Sequence, residues 1–324
     1  MQTTLVGSYP RVADSHEGQR LRRAVAKWER QELTAEGLRK VEVDVLQEVV
    51  REQASHGVDV LTDGQVTWYD AVSHFTARLE GVEMGGLLRY FDTNTYYRQP
   101  RSRGKARWVR AVTVEDWLAA SAASPAPVKA VLTGPFTLAA MSACPASKVG
   151  DLQWDLASAI GNEIDALVHA GAAHLQVDEP AFALGKSLPK GYDDLAREML
   201  QGKGRAKTTL FVAFGGVGPF LGELLDLPFD ILGLDLVQGA ATLDALRKVD
   251  TDKGIAFGLL DARNTRVEDP MAVAKTAYGF AGRVPLDRSY LCPSNGLEFL
   301  PRTRAREKLK VLVYAAKLVR EAMT

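Results

Sequence analysis

The chain has 324 residues, with 40 Lys and Arg against 40 Asp and Glu, five His and two Cys, and 46% of its residues are hydrophobic. A chain of this length buries roughly 75% of its unfolded surface, so it forms a large core without disulfides. The zero formal charge argues against broad binding to nucleic acid or to an anionic membrane. No apolar run approaches the ~18 residues of a membrane span. The scarcity of cysteine and of any leader-like segment favours a cytoplasmic location.

Eight short apolar runs, rich in β-branched residues, alternate with segments of helical periodicity. In chain order they are residues 4–6, 58–61, 128–132, 174–177, 210–213, 231–234, 255–260 and 289–291. Such alternation is typical of a parallel sheet whose crossovers are helices. Each run ends in Gly, Pro, Asp or Asn, and a (β/α)8 barrel carries its active site at this end of the strands. The sequence therefore predicts an α/β fold, a (β/α)8 TIM barrel, with residues 1–324 as a single domain.

Two segments exceed a minimal barrel. Residues 15–56 predict two helices as an N-terminal extension, with Thr34 as the N-cap of the second helix. Residues 81–110 predict a long hairpin-like insertion after strand 2, because pairs of aromatic residues recur along it. Six Arg and Lys residues and no acid lie between residues 98 and 110. The balanced net charge therefore conceals a basic segment within this insertion, residues 98–110, which suits a polyanionic ligand. We call it the basic excursion.

The segment Asp178-Glu179-Pro180-Ala181 is the sharpest local signal, since two acids directly follow an apolar run. At the end of a barrel strand, one carboxylate faces the central cavity, where it binds an ammonium group or acts as a base. The alternative, that either acid caps the next helix, stays equally open. The loop after the first run offers backbone N–H groups, Ser8 and Arg11 to a carboxylate or phosphate.

Candidate metal ligands are sparse. No His-x-Cys, His-x-x-His or Cys-x-x-Cys occurs, and the five His are scattered. Cys292 follows an apolar run, and Asp178, Asp235 and Asp261 are the acids that would have to join it. A zinc site with one thiolate and no His is unusual, so zinc is disfavoured and no metal ligand is predicted.

The motifs at these loops resemble those of the cobalamin-independent methionine synthase family over essentially the whole chain. They are Val6-Gly7-Ser8-Tyr9-Pro10-Arg11, Asp63-Gly64-Gln65, Thr133-Gly134-Pro135-Phe136-Thr137, Gln176-Val177-Asp178-Glu179-Pro180-Ala181 and Pro293-Ser294-Asn295-Gly296-Leu297. The resemblance implies methyl transfer from a methyl-tetrahydrofolate or corrinoid donor to a small thiol such as homocysteine. The expected substrate-binding residues are Gly7, Ser8, Arg11, Gln65, Asp178, Glu179 and Asn295.

The resemblance also exposes departures. In the family's catalytic half, zinc is held by a His-x-Cys after the fifth strand, a Glu after the sixth and a Cys after the eighth. The matching residues here are Val212 and Phe214, then Asp235, then Asn295, and Arg263 stands where the family has a proton-donating His. Only Asp235 keeps ligand chemistry, which implies that the standard zinc site is missing. The catalytic candidates are then Asp178, Asp235 and Arg263.

Other segments, such as Phe91-Asp92-Thr93-Asn94, resemble the zinc-free N-terminal half of two-domain members. In that half a basic helix helps to hold the polyglutamate tail of the folate, and Arg22 and Arg23 occupy the matching place, with Arg98 in the basic excursion.

Two main hypotheses follow. The chain is a single-barrel methyltransferase, or it is a non-catalytic folate-binding barrel that acts with a separate catalytic methionine synthase subunit. A third reading is a different reaction on the same scaffold.

Overall fold

The structure is a computed structural model that describes residues 1–13 and 15–324. The strands are β1 (Gln2–Thr3), β2 (Glu80–Arg89), β3 (Tyr96–Arg107), β4 (Ala130–Thr133), β5 (His174–Asp178), β6 (Lys207–Val212), β7 (Ile231–Asp235), β8 (Gly254–Leu260) and β9 (Tyr290–Pro293). The α-helices are α1 (Arg20–Glu29), α2 (Ala35–Ser55), α3 (Ser73–Thr76), α4 (Val114–Ala123), α5 (Pro135–Ala140), α6 (Val149–His169), α7 (Tyr192–Met199), α8 (Leu221–Asp226), α9 (Ala240–Leu246), α10 (Pro270–Tyr278) and α11 (Arg302–Met323). None of these helices is long and apolar enough to cross a membrane.

Seven strands form one parallel sheet in the order β1-β9-β8-β7-β6-β5-β4. The gap between β1 and β4 is filled by residues 58–61, which make single parallel bridges from Val60 to Thr4 and from Leu61 to Val128. These bridges close the sheet on itself. The predicted TIM barrel is therefore confirmed, with 58–61 as the strand that pairs least.

The barrel interior is a packed core. A cluster of buried side chains that includes Phe211, Ile231, Tyr290 and Cys292 fills it, while a larger apolar cluster joins the outside of the sheet to the helices. Gly233 shows how tight the interior is, because a Cβ there would lie 2.1 Å from the ring of Phe211. The open end of the barrel is thus a shallow mouth above a filled core, as in other barrels of this class.

The N-terminal extension consists of α1 and α2, as predicted. The Thr34 side chain accepts a hydrogen bond of 3.1 Å from the Gly37 backbone N–H, so the predicted N-cap is confirmed. Near the other end of α2, Glu52 accepts hydrogen bonds from Arg302 and Arg306 on the last helix and from the Tyr9 hydroxyl. This partly buried cluster ties the extension to the two ends of the barrel chain.

The insertion after the second barrel strand is a hairpin of β2 and β3, as predicted, with Arg89 opposite Tyr96 next to its turn. The Tyr97 hydroxyl donates to the Met141 carbonyl at 3.1 Å, which holds the turn end of the hairpin near the mouth of the barrel. Further along β3, Arg103 pairs with Glu83 of the opposite strand at 2.8 Å. The positive charge of the basic excursion is therefore partly neutralised by an acid on the opposite strand of the hairpin.

Candidate functional site

Loops from opposite sides of the barrel mouth meet around one small cavity of about 50 Å³. Among its lining residues are five of the seven predicted substrate-binding residues: Gly7, Ser8, Gln65, Asp178 and Asn295. A space of this size holds a few water molecules. The structure therefore brings together most of the predicted substrate-binding set, in a closed arrangement.

Tight backbone turns aim these residues at the cavity. Gly64 and Gln65 both have positive φ angles, 69° and 49°, and the Asp63 carboxylate fixes this turn by accepting the Gln65 backbone N–H at 3.0 Å. A Cβ on Gly296 would lie 1.8 Å from the Ser8 hydroxyl oxygen. Glycine is needed there because the loop after β9 packs directly on the loop after β1.

Asp178, the last residue of β5, carries the carboxylate of the cavity. Its Oδ1 accepts a hydrogen bond of 2.7 Å from the Gln176 amide nitrogen. Burial raises the pKa of Asp178 to about 7, against the opposing effects of the Gln176 hydrogen bond and the Lys129 charge. Near neutral pH this carboxylate is thus able to bind an ammonium group or to exchange a proton.

Asn295 has the least satisfied side chain of the cavity. It is only 1% exposed, yet neither its amide nitrogen nor its amide oxygen has a hydrogen-bond partner in the described chain. Burying an amide without partners costs roughly 1–3 kcal/mol for each unsatisfied group. Such an arrangement is explained when a ligand supplies the missing partners.

Glu179 does not line the cavity and is fully buried. Its carboxylate accepts the backbone N–H groups of Phe136 and Thr137 at 3.0 and 2.7 Å, in the first turn of α5. A Cβ on Gly134 would lie 2.3 Å from this carboxyl group. Glu179 therefore caps a helix, but the helix is that of the preceding βα unit and not the next helix along the chain, as the capping alternative had it.

Asp235 and Arg263 are also occupied by protein contacts. Asp235 accepts backbone N–H groups from Phe214 with one carboxylate oxygen and from Val237 and Gln238 with the other, at 2.8–3.1 Å. Arg263 forms an ion pair of 2.8 Å with Asp92 in the hairpin turn. The structure thus places both catalytic candidates in contacts that shape the loops around the cavity.

The hairpin turn covers the cavity with aromatic side chains. Phe91 stacks on Phe214 with a centroid distance of 4.9 Å and an interplanar angle of 10°. Tyr90 and Phe299 each contact Phe214 edge to face. The Asp92–Arg263 ion pair lies beside this cluster, since the Arg263 guanidinium is 5.7 Å from the Phe214 ring centre. Together these contacts close the mouth of the barrel.

The predicted basic residues lie outside the cavity. Arg11 and Arg22 line a separate groove of about 340 Å³ between α1 and residues 66–69. The Arg11 guanidinium donates to the Val66 carbonyl at 3.0 Å, and Arg23 donates to the His16 carbonyl. Arg98 is exposed on β3. The structure therefore groups Arg11 with Arg22, while the backbone N–H of Arg98 donates to Asp70, the residue after Tyr69 of this groove.

The donor set does not suit the family's zinc site. The described residues contain no group of three or more His, Cys, Asp or Glu side chains placed to hold a metal. At the matching positions Val212 and Phe214 lack donor atoms, and both Asp235 oxygens already accept backbone N–H groups. The nearby thiol of Cys292 is fully buried among the side chains that fill the barrel interior, and burial raises its pKa to about 12.

Two residues near the site escaped the sequence reasoning. Glu298 lines the cavity from the loop after β9. Lys129, just before β4, is fully buried and donates to the Gln176 amide oxygen at 2.5 Å. A lysine directly before a buried apolar strand is the signal that could have indicated an inward-facing charge, because Lys is almost never fully buried without a partner.

Comparisons with known proteins agree with this geometry. The family model described as the catalytic domain of cobalamin-independent synthase matches residues 1–318. Methionine synthase of Sulfurisphaera tokodaii is 32% identical over all of this chain and 94% of its own length, and that of Saccharolobus solfataricus is 31% identical over all of this chain and 96% of its own.

Among solved structures, a B12-independent methionine synthase from Shewanella sp., in complex with selenomethionine, superposes with a TM-score of 0.81. That similarity spans 99% of this chain and 98% of the other at 22% identity, and it supports the fold. The predicted family and the predicted methyltransferase class are both confirmed. With the family model over nearly the full length and relatives above 30% identity, the chain belongs to the cobalamin-independent methionine synthase family.

Proposed function

We propose that this protein transfers a methyl group to the sulfur of a small amino-acid thiol, with homocysteine as the acceptor and a methyl-tetrahydrofolate or a corrinoid as the donor. The unpartnered amide of Asn295, buried beside the Asp178 carboxylate, is the observation that carries the proposal. An amino acid presents an ammonium group and a carboxylate a few ångströms apart. Asp178 matches the ammonium group, and the Asn295 amide matches the carboxylate.

The acceptor enters only when the hairpin turn moves. A cavity of about 50 Å³ is too small for an amino acid together with the methyl end of a donor. Release of Phe91 from Phe214 and of Asp92 from Arg263 would open the mouth above the Asp178 carboxylate. Closure over the bound acceptor then excludes water from the reacting sulfur.

Zinc does not enter the proposed mechanism, because the residues at the family's ligand positions lack the donors. A free thiol with a pKa near 8.5 is only a few per cent ionised at neutral pH, so a proton acceptor is needed. Glu298 is the carboxylate of the cavity that is not assigned to the ammonium group. In this scheme the thiol proton passes to Glu298, the S–CH3 bond forms as the donor's N5–CH3 bond breaks, and the proton then passes to N5.

The test is an assay of purified protein with homocysteine and, in separate reactions, methyl-tetrahydrofolate, its triglutamate and methylcobalamin. Methionine is expected as product from at least one donor, at a rate that added zinc does not raise and with less than one zinc per chain by metal analysis. The Asp178→Asn variant should lose this activity, while Asn162→Ala on the exposed face of α6 should keep it. No methionine from any donor, with and without zinc, would refute the proposal.

A folate-binding barrel without catalysis is the second candidate, and the groove that holds Arg11 and Arg22 favours it. Here a triglutamyl folate should bind more tightly than the monoglutamate, and salt should weaken the difference because the contacts are ionic. Arg22→Ala should remove the difference, whereas Arg51→Ala, on the exposed surface of α2, should not. Equal affinity of the wild type for both folates would exclude this candidate.

A further inference from the structure

Lys129 is an anomaly of the barrel core. Its side chain is 2% exposed and lies in the interior, where barrels of this class usually carry branched apolar residues. Its backbone N–H donates to the Leu61 carbonyl, which fixes it at the closure of the barrel. An ammonium group is costly to bury unless hydrogen bonds and charges hold it. The interior contacts of Lys129 therefore call for an explanation.

A chain of hydrogen bonds leads from Lys129 to the cavity. Its Nζ donates to Gln176 Oε1, and Gln176 Nε2 donates to the Val6 carbonyl at 2.6 Å and to Asp178 Oδ1 at 2.7 Å. An ammonium group only donates and a carboxylate only accepts. Lys129 and the Val6 carbonyl thus together fix which way the Gln176 amide is turned, and the opposite orientation would set an oxygen against the Asp178 carboxylate.

We propose that Lys129 is a positioning residue for the site of the substrate ammonium group, holding the Asp178 carboxylate towards the cavity through the Gln176 amide. The inference rests on the proposed function, in which Asp178 binds the ammonium group of the acceptor. Lys129 lies one residue before β4 and Gln176 and Asp178 lie on β5, so the device spans two adjacent strands. None of the three side chains needs to move when the hairpin turn opens.

Lys129 acts on Asp178 through its charge as well as through the hydrogen bonds. The charged or titratable groups around Asp178 are Lys129, which lowers the pKa of the carboxyl group, Glu179, which raises it, and the nearby Tyr90 hydroxyl. Lys129 is the positive charge of this set. With Lys129 removed, Asp178 would retain its proton to a higher pH, and its pKa would rise by about 1–2 units.

The test compares Lys129→Met, which keeps the length of the side chain without its charge, with the wild type. The Asp178 carboxyl carbon is followed by NMR titration of the unliganded protein, its resonance assigned by its loss in Asp178→Asn. We expect the titration midpoint to rise by about 1–2 pH units in Lys129→Met. Gln176→Leu should shift it in the same direction, and the double variant should shift it by less than the sum of the two single changes, because part of the Lys129 effect passes through Gln176.

Lys308 provides the matched control. It is also buried, 1% exposed, but it lies on α11 and pairs with Glu268 at 2.7 Å. Lys308→Met should lower the melting temperature and leave the Asp178 titration unchanged. If Lys129→Met does not fold, Gln176→Leu alone decides. An unshifted midpoint in the folded Lys129 or Gln176 variant, or additive shifts in the double variant, would overturn the inference.

The titration needs no substrate, so its result is independent of the proposed function. Methionine binding, measured by calorimetry on the same proteins, tests the link between the two. The methionine affinity should rise with pH in both proteins. We expect the pH range of this rise to lie higher in Lys129→Met, by as many pH units as the Asp178 midpoint. A wild type that does not bind methionine would count against the proposed function, while the NMR midpoints would still decide for or against Lys129.

Discussion

Phe91 and Phe214 stack face to face across the mouth of the barrel, and both have backbone φ angles in the left-handed region, 49° and 66°. This conformation costs a non-glycine residue of order 1–3 kcal/mol and persists where the surroundings hold it. One of these residues belongs to the hairpin turn and the other to the loop after β6. The strained pair is therefore a point at which the insertion meets the barrel, and Phe214 lines the same cavity as the Asp178 carboxylate.

Removal of this stack should loosen the closed state. Phe91→Ala loses an aromatic contact of about 0.5–1.5 kcal/mol, which raises the open fraction by up to about tenfold. We expect faster hydrogen exchange at residues 89–96 and faster association of methionine. Leu87→Ala, at a 60% exposed position of the same hairpin, is the control and should change neither rate. Unchanged exchange in Phe91→Ala would show that the stack does not hold the turn.

The Asn295 amide should contribute to binding and not to stability. Asn295→Ala removes two buried polar groups that have no partner in the described chain, so the free energy of unfolding should stay the same or rise by about 1 kcal/mol. Methionine affinity should fall at least tenfold, the equivalent of one good hydrogen bond to a charged group. Thermal melts and calorimetry measure the two effects. A clear loss of stability with unchanged affinity would make Asn295 a structural residue.

Ligand binding should increase with pH near neutrality. Burial raises the pKa of Asp178 to about 7, and only the ionised carboxylate attracts an ammonium group. Methionine affinity should therefore rise between about pH 6 and pH 8, and the Asp178→Asn variant should bind weakly with no such rise. Calorimetry across this range provides the measurement. An affinity that falls over the same interval would mean that the neutral acid is the binding form.

Glu179 should matter for stability, with a distinctive pH dependence. Glu179→Ala leaves two N–H groups of α5 without an acceptor and should cost about 2–4 kcal/mol of unfolding free energy, whereas Glu179→Gln keeps an acceptor oxygen and should cost less.

Burial raises the pKa of Glu179 from 4.5 to about 7, so the folded state holds this proton more tightly than the unfolded state. The contribution of Glu179 to the free energy of unfolding of the wild type is thus greatest below pH 4.5, and it falls as the pH rises to about 7. The free energy of unfolding is measured with denaturant at pH 5 and at pH 7. Its difference between the two pH values should be smaller for Glu179→Gln than for the wild type. An equal difference would assign the pH dependence to other groups.

The strands were predictable because each is a short apolar run followed, at its C-terminal end, by Gly, Pro, Asp or Asn. This pattern lies within a few consecutive residues. The run at 58–61 is the instructive exception, since its residues match the pattern and yet it pairs only through Val60 and Leu61. Backbone pairing depends on where two neighbouring strands lie, which no local pattern contains. The hairpin was predicted for the same reason as the strands, but the contact of its turn with the barrel mouth was not. That contact depends on Phe91 and Phe214, which lie far apart in the sequence.

The site was predictable in its members more than in their roles. Asp178 and Glu179 are adjacent in sequence, and alternation along a strand sends neighbours in different directions. Periodicity therefore indicated that one acid faces the cavity but not which one. Lys129 was missed because a lysine at the start of a strand is usually solvated. Its inward direction follows from the closure of the barrel, a relation between strands.

The different surroundings of Asp178 and Glu179 bear on how homologues of this chain should be interpreted. Glu179 fastens two neighbouring βα units together, so a descendant that abandoned methyl transfer would still need it, together with the Gly134 that makes room for it. The Asp-Glu-Pro signature is then an indicator of scaffold ancestry. Retained chemistry is better judged from the loop after β9, where a residue such as Asn295 is free to change without harm to the barrel.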